Sequence, residues 1–264
     1  MGVQLKKLSE QVVVITGASS GLGAALAAAY AGRGVAMGLI GRNAERLAAT
    51  AAACRAAGAV VDSAAIDVAD GKALGAWLEA FDSAHPVELL IANAGTSAGP
   101  DPDSPGETLA LTERQLATNL TGAVNTIAPL VPRLCGRGRG RIVAIASVAA
   151  FRGLPNSPGY CASKAGLRAY AEALRPRLMR YGVGVTVVCP GFFASPMTDR
   201  WQGPTPFLAS GDTAARHIKR GIDHGLRRVH FPWPLVFGMR FCDLAPAWIG
   251  DAILRRFRFH VRPA

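Results

Sequence analysis

Short apolar runs rich in β-branched residues recur along the first 190 residues, separated by segments with helical periodicity. We expect six of these runs to be strands. They are residues 11–16, 35–41, 59–66, 87–92, 141–147 and 183–190. The intervening segments that we expect to be helical include 71–83, 109–135 and 162–175. Strands that alternate with helices at this spacing are typical of an α/β fold, a parallel sheet with helices on both faces.

A glycine-rich turn follows the first predicted strand and precedes an Ala-rich helical segment. Its residues are Gly17, Ala18, Ser19, Ser20, Gly21, Leu22 and Gly23. Glycines let the backbone approach a pyrophosphate closely, and the N-terminus of the next helix attracts its charge. The turn therefore predicts a dinucleotide site, and the structural alternative is an ordinary tight turn.

The end of the second predicted strand bears on which dinucleotide is bound. NAD-preferring sites usually place a carboxylate here for the ribose hydroxyls, whereas this chain has Gly41 followed by Arg42. A guanidinium pairs bidentately with a phosphate, so the pattern favours NADPH (NADP) over NADH (NAD). The alternative is that Arg42 simply begins a solvated helix, as Arg46 does.

Small or polar residues also follow the other predicted strands, where the carboxyl ends of parallel strands form a ligand crevice. They are Asp67 and Val68, then Asn93, Ala94 and Gly95, and finally Pro190, Gly191, Phe193 and Ser195. We expect Asp67 to lie near the adenine. The turn after Pro190 should cover the nicotinamide, with Ser195 and the Phe193 backbone near the carboxamide.

A candidate catalytic group lies between Ser147 and Lys164. Tyr160 and Lys164 are four residues apart, so on a helix they share one face. A neighbouring cation is expected to lower the pKa of a phenol from about 10, which would make Tyr160 a better acid. Ser147 ends the fifth predicted strand, where its hydroxyl can hold a carbonyl oxygen. The alternative for Tyr160 and Lys164 is a pair on a solvated helix face.

Composition narrows the class of protein. The 264 residues are half apolar and suit one α/β domain. Five scattered cysteines indicate free thiols in a reducing cytoplasm rather than a disulfide framework. The histidines do not cluster at metal-ligand spacing, so we expect no metal site. The net charge of +11 is not concentrated in an aromatic-rich basic run, which favours an anionic cofactor or an acidic membrane over nucleic acid.

The last part of the chain differs from the rest. We expect residues 1–231 to form the dinucleotide-binding and catalytic domain, and 232–264 a basic amphipathic extension. Residues 227–264 contain seven Arg and two Asp. Apolar residues at 248, 249, 252, 253 and 257 have helical spacing. Three alternatives remain: a pocket lid or subunit interface, peripheral docking on a membrane surface, and intramolecular core.

Apolar side chains are candidates for the wall of the substrate pocket. They are Phe151, Leu154, Phe192, Phe193, Met197, Trp201 and Phe207. Such a lining favours a hydrophobic ketone or alcohol of acyl, steroid-like or terpenoid type, although each of these residues is also compatible with a place in the core.

Taken together, the motifs resemble one protein family. Over about residues 8–230, the order and spacing are similar to those of the single-domain short-chain dehydrogenases/reductases. The matching residues are Thr16, Gly17, Gly21 and Gly23, then Asn93 to Gly95, Asn119, Ser147, Tyr160, Lys164, Pro190 and Gly191. Val148 departs from the pattern, since the family often has a second Ser there, and the region after 198 follows no family pattern.

The resemblance implies a Rossmann-type doubly wound parallel sheet of about seven strands and hydride transfer between a nicotinamide and a carbonyl or alcohol carbon. It implies that Tyr160 delivers the proton, Ser147 bonds the developing alkoxide, and Lys164 holds the ribose and acidifies Tyr160. Asn119 would support a water relay. The resemblance also implies a homodimer or homotetramer. A cofactor-binding scaffold or membrane-surface protein, and an isomerase or enoyl reductase on the same fold, are the alternatives.

Overall fold

A computed structural model describes residues 12–100, 104, 106–257 and 259–262, so Gln11, placed in the first predicted strand, lies outside the described residues. Seven parallel strands form one sheet in the order β3-β2-β1-β4-β5-β6-β8. The strands of this sheet are β1 (Val12–Thr16), β2 (Ala36–Ile40), β3 (Val60–Ala64), β4 (Leu89–Ala92), β5 (Gly140–Ile145), β6 (Val183–Pro190) and β8 (Arg228–Phe231). The predicted sheet of about seven parallel strands is confirmed.

Helices cover both faces of the sheet. They are α1 (Gly21–Tyr30), α2 (Ala44–Ala56), α3 (Gly71–Ala84), α4 (Leu109–Leu116), α5 (Gly122–Ile127), α6 (Val131–Arg137), α7 (Pro158–Met179), α8 (Gly211–Asp223), α9 (Trp233–Leu244) and α10 (Ala247–Leu254). A separate two-stranded antiparallel sheet joins β7 (Trp201–Gln202) to β9 (His260–Val261).

Two apolar cores hold the layers together, one on each face of the sheet. The first packs side chains of α3, α5, α6 and α7 against one face, around residues such as Leu74, Ile127 and Leu167. The second packs α1, α2 and α8 against the other face, around residues such as Leu26 and Ile218. Central strands are buried on both sides, which is why they read as continuous apolar runs rather than as alternating patterns.

The parallel register brings the carboxyl ends of the central strands to one edge. Thr16 at the end of β1 pairs with Ile40, and Ile15 pairs with Ile91 of β4. The chain order reverses between β1 and β4, so a crevice forms between the loops that follow these strands. That crevice contains the candidate site.

The helices differ from the predicted ones in two places. The helix predicted over 109–135 is interrupted by a π-helical segment at Ala117–Thr121 and a 3₁₀ turn at Ala128–Leu130. Local periodicity does not reveal these changes in winding, because they depend on what the helix packs against. The helix predicted over 162–175 is longer and spans Pro158–Met179.

The tail is less regular than its apolar stripe predicted. The helix expected to continue to residue 257 ends at Leu254, and α9 precedes it. Beyond α10 the chain turns back so that β9 pairs with β7. Among the described residues, no helix combines the length and apolarity that crossing a bilayer requires.

Candidate functional site

A cleft of about 630 Å³ opens at the carboxyl edge of the sheet. It brings together every residue predicted to bind the cofactor, although these residues extend along the chain from Gly17 to Ser195. The predicted residues that line the cleft are Gly17, Ser19, Ser20, Gly21, Leu22, Gly23, Arg42, Asp67, Val68, Asn93, Ala94, Gly95, Ser147, Tyr160, Lys164, Pro190, Gly191, Phe193 and Ser195. Asn119 is the exception, and it lies buried behind the cleft.

Backbone geometry explains why the turn between β1 and α1 needs glycine. Gly17 and Gly21 have φ angles of +71° and +54°, in the left-handed region that favours glycine. At Gly23 the constraint is space, because a Cβ there would lie 2.1 Å from the Gly17 carbonyl oxygen. Asn93 fixes the turn from below, since its Nδ2 donates to the Thr16 carbonyl at 2.9 Å.

The N-terminus of α1 suits an anionic group. Its N-cap residue, Ser20, makes no side-chain hydrogen bond to the first helical turn, and no acidic side chain occupies that turn. The first backbone N–H groups of the helix and the positive end of its dipole are therefore free to interact with an anion in the cleft. A pyrophosphate fits these donors, so the residues present suit the dinucleotide that the motif implies.

Basic side chains lie at the end of the cleft beside β2. Arg42 and Arg46 both line it, and the Arg42 Nη1 is 3.6 Å from the Asp67 Oδ2. This ion pair is weak because its side chains are 59% and 43% exposed. A Cβ at Gly41 would lie 3.0 Å from the Ser19 Cβ. A side chain at residue 41 would therefore press against Ser19 of the glycine-rich turn.

Ser147, Tyr160 and Lys164 meet at the centre of the cleft. Ser147 follows β5, and its Oγ accepts a hydrogen bond from Ala149 N at 3.1 Å. Tyr160 and Lys164 lie in the first turns of α7, with the Lys164 Nζ 6.0 Å from the Tyr160 ring centroid. The buried Nζ donates to the Ile145 carbonyl at 2.9 Å. The three functional groups therefore face the same space.

The predicted acidification of Tyr160 by Lys164 is wrong for this arrangement. Burial raises the pKa of Tyr160 to about 12, and a hydrogen bond with Ser147 offsets only part of that increase. Burial also lowers the pKa of Lys164 to about 8. Desolvation dominates because the ammonium is directed at the Ile145 carbonyl rather than at the phenol. At neutral pH both groups are protonated.

Asn119 connects the loop after β4 to α7 from its place in the π-helical segment. Its Oδ1 accepts from Thr96 N at 2.7 Å, and its Nδ2 donates to the Thr96 carbonyl and to Ser163 Oγ, both at 2.9 Å. Ser163 is adjacent to Lys164, so this side chain fixes the helix that carries the catalytic candidates. A Cβ at Gly95 would lie 3.2 Å from both Asn119 Oδ1 and Lys164 Nζ.

The turn after β6 folds over the glycine-rich turn. Ser195 Oγ lies 3.0 Å from Thr198 Oγ1, and Thr198 Oγ1 donates to the Phe193 carbonyl at 2.6 Å. A Cβ added at Gly21 would lie 3.2 Å from the Ser195 Cβ. Ser195 therefore lies close to Gly21 of the glycine-rich turn, and it belongs to the turn that carries Pro190 and Gly191.

The apolar end of the cleft is closed by the C-terminal segment. Trp201 stacks on Phe259 with ring centroids 4.1 Å apart and planes 7° from parallel. Val261 lines the cleft, and its carbonyl accepts from Gly99 N at 2.9 Å. Asn156 adds a hydrogen bond to the Phe259 carbonyl. This part of the tail is therefore a wall of the pocket, and its apolar side chains are buried within the chain.

Two residues predicted to line the substrate pocket do not do so. Phe151 is buried between the guanidinium groups of Arg168 and Arg240, whose Cζ atoms lie 4.9 and 4.7 Å from its ring centroid. Phe207 is exposed, with a φ of +59°. Phe151 is part of the core because of tertiary packing, whereas Phe207 lies in an irregular loop at the surface. Leu154, Phe192, Phe193, Met197 and Trp201 do line the cleft.

Sequence reasoning missed three informative residues of the cleft: Arg46, Ser97 and Val261. Arg46 was interpreted as solvated, although it lies in the first turn of α2, close in sequence to Arg42, which is a signal that both face one end of the site. Val261 carries no comparable signal, because a lone valine near a terminus resembles any other.

Among the residues that the structure describes, no group of three or more His, Cys, Asp or Glu side chains could hold a metal ion.

Comparisons with known proteins agree with this geometry. The family described as short chain dehydrogenase matches residues 11–204. An uncharacterized oxidoreductase of Myxococcus xanthus is 36% identical over 256 residues, which cover 96% of this chain and 100% of that protein.

Solved structures agree as well. A short-chain dehydrogenase from Sphingobium yanoikuyae in complex with NADPH is 27% identical, with a TM-score of 0.76 over 92% of this chain and 91% of that one. A short-chain dehydrogenase/reductase from Burkholderia phymatum in complex with NAD has a TM-score of 0.80 at 23% identity, covers 98% of this chain and 99% of that one, and shows the fold alone. The chain belongs to the short-chain dehydrogenase/reductase family of oxidoreductases.

Proposed function

We propose that this oxidoreductase reduces an apolar carbonyl compound with NADPH, or oxidises the corresponding secondary alcohol with NADP. The observation that carries the proposal is the convergence of Ser147, Tyr160 and Lys164 on one cleft with the glycine-rich turn. A bound nicotinamide would supply or accept the hydride. The side chains of the protein would then hold the carbonyl oxygen and move its proton.

Tyr160 is the proposed proton donor in the direction of reduction. Its raised pKa keeps the phenol protonated at neutral pH, which is the form that can give a proton to a developing alkoxide. Ser147 hydrogen-bonds the same oxygen and stabilises its charge. Lys164, held at the Ile145 carbonyl, places a positive charge beside the cleft, and we propose that it also binds the nicotinamide ribose. Asn119 positions α7, which carries both side chains.

Preference for NADPH over NADH is supported by the basic end of the cleft. Arg42 and Arg46 supply two cations where a 2′-phosphate would lie, and Ser19 crowds a carboxylate at residue 41. A guanidinium recognises phosphate through paired hydrogen bonds. The NADPH complex of the relative at 27% identity is consistent with this preference.

An apolar substrate is supported by the side chains opposite Ser147 and Tyr160. Leu154, Phe192, Met197, Trp201 and Val261 surround that end of the cleft. Apolar lining with a few polar groups is typical of small-molecule sites. The division at residue 231 into a catalytic domain and an extension, the cytoplasmic location, the homodimer or homotetramer, and the absence of a nucleic-acid partner remain predictions.

The test is NADPH oxidation with a panel of apolar ketones, followed by identification of the product. Tyr160→Phe keeps the ring and removes the acid, and we expect a loss of about 10³-fold in kcat with unchanged NADPH binding. Tyr170→Phe is the matched control, because Tyr170 lies on the same helix but outside the cleft. Unchanged turnover in Tyr160→Phe would reject the mechanism, and a product reduced at C=C or merely isomerised would favour the alternative chemistries.

A further inference from the structure

Helix α9 has an apolar face that the described residues leave uncovered. Trp233, Phe237, Phe241 and Leu244 are spaced by four, four and three residues, so they lie along one side of the helix. Their side chains are between 50% and 84% exposed. Helix α10 packs closely against α9, since a Cβ at Gly250 would lie 2.5 Å from the Cys242 carbonyl oxygen, and its Trp248 is a further exposed indole. We call these five residues the aromatic face.

The opposite side of α9 already has a packing partner. Met239 is buried in the core, and Leu235 and Val236 pack against the same cluster. The helix is therefore apolar on two sides, and the fold covers only one of them. Large contiguous exposed apolar surfaces mark sites of interaction, whereas single exposed side chains do not.

The charge around the aromatic face favours an anionic partner. Arg255 and Arg256 are exposed directly after the last residue of α10. The acidic side chains of the two helices are Asp243 and Asp251, and Asp251 pairs with Arg152 at 2.6 Å. The whole chain carries a net charge of +11. A second copy of this chain would bring like charges together, which disfavours self-association through this face.

Aromatic and basic side chains in this combination suit a lipid surface. Tryptophan and phenylalanine insert at the boundary between headgroups and acyl chains, and arginine is attracted to anionic headgroups. The 12 residues of α9 extend about 18 Å and the eight of α10 about 12 Å, less than the roughly 30 Å of a bilayer core. Helices of this kind lie in the plane of the membrane.

We propose that the aromatic face docks the protein on the surface of a membrane rich in anionic lipids. The docking helix begins next to the cleft, because a Cβ at Gly191 would lie 2.8 Å from Pro232 Cδ and 2.9 Å from Leu235 Cδ2. Resting on the proposed function, the same geometry would bring the cleft near a reservoir of apolar molecules. The docking itself requires no catalytic activity.

Flotation with lipid vesicles tests the docking directly. We expect the full chain to float with phosphatidylglycerol-containing vesicles, to bind pure phosphatidylcholine less, and to be released by added salt. The double variant Phe237→Ser with Trp248→Ser should bind at least about tenfold less. The matched control, Val60→Ser with Leu109→Ser, removes two apolar side chains of similar exposure elsewhere and should bind like the unmodified protein.

Two further measurements distinguish loss of membrane docking from loss of folding and test whether the aromatic face itself enters the lipid. Circular dichroism and NADPH binding establish that both double variants are folded. Brominated lipids should quench the fluorescence of the protein through Trp233 and Trp248, and a Trp248→Phe variant should retain part of that quenching through Trp233. Equal vesicle binding by all three proteins, or none by the unmodified chain, would overturn the proposal. So would absence of vesicle binding together with a lower oligomeric mass in F237S/W248S, which would assign the face to subunit contact.

Discussion

The two ends of the cleft are built from residues at very different distances along the chain. At the end formed by the glycine-rich turn, which we call the phosphate end, six of the lining residues come from the single segment between Thr16 and Gly23, with Asn93 beneath it. At the apolar end, Trp201, Phe259 and Val261 meet only because the C-terminal segment returns across the cleft.

This difference shows which structural constraints can be detected in a sequence. A glycine at a positive φ or beneath a carbonyl cannot be replaced by another residue without strain, so the positions of the glycines in the sequence identify the turn. An apolar wall requires only volume and shape, which many side chains supply. Changes at the phosphate and catalytic end should therefore affect every substrate, whereas changes in the apolar wall should alter which substrate is accepted.

Among the substitutions that test this comparison, Lys164→Met is expected to have the largest effect on kcat. Loss of the ammonium should lower kcat by at least about 100-fold for all substrates. The same change should increase the free energy of unfolding of the protein by on the order of 1–3 kcal/mol near neutral pH, because a buried ammonium whose pKa is lowered to about 8 is costly to desolvate. Steady-state kinetics and urea unfolding measure the two effects.

The pH dependence of that stability difference has a definite sign. The pKa of Lys164 is about 8 in the folded chain and 10.5 for an ordinary lysine, so the destabilisation is complete below pH 8 and is relieved as the pH rises towards 10.5. The stability gain of Lys164→Met should shrink over that range. Lys72→Met, at an exposed position on α3, should change neither activity nor the pH profile. A gain that is constant with pH would contradict the assigned cause.

Arg42→Ala tests whether the phosphate end discriminates between cofactors. We expect the Kd for NADPH to rise by about 10- to 100-fold, while the Kd for NADH changes little, because only NADPH carries the 2′-phosphate. Fluorescence titration with each cofactor measures this. Arg177→Ala removes an exposed guanidinium of α7 that does not line the cleft and serves as the control. Equal weakening of both cofactors would remove the basis for NADPH preference.

Trp201→Ala tests the apolar wall and should have a smaller effect on catalysis than Lys164→Met. Removing the indole that stacks on Phe259 enlarges the substrate end, so the ratio of kcat/KM values for bulky and small ketones should rise by about tenfold. The Kd for NADPH should stay the same, because the ring contacts of Trp201 are with Phe192 and Phe259 and not with the glycine-rich turn.

Val261→Ala should shift the same ratio in the same direction by a smaller factor, because it removes less volume. Val60→Ala, at an exposed position on β3, is the control. A parallel loss of NADPH affinity and of activity towards all ketones would show that the two ends of the cleft are not separable.

Much of the fold follows from patterns that act over short distances. The apolar runs identified six strands to within two residues at every end, because the central strands are buried on both faces and are continuously apolar. The edge strand β3 is more exposed and was identified from its β-branched residues. The π-helical segment around Asn119 was not predictable, because an Asn that bonds Thr96 and Ser163 is indistinguishable in sequence from one that faces water. Phe151 and Phe207 show the same limit, since both are aromatic but only packing decides that one is buried and the other exposed.

The sequence by itself determined the α/β architecture, the family, and the glycine-rich turn and Ser147, Tyr160 and Lys164 as cleft residues, because glycine turns, strand ends and a helical Tyr–Lys spacing impose local geometry. Tertiary structure alone decided that burial raises the pKa of Tyr160 against its lysine neighbour, since desolvation depends on everything that surrounds a group. It also decided that Val261 closes the cleft and that α9 presents an uncovered aromatic side. These features arise from contacts between distant parts of the chain, and no local pattern encodes such contacts.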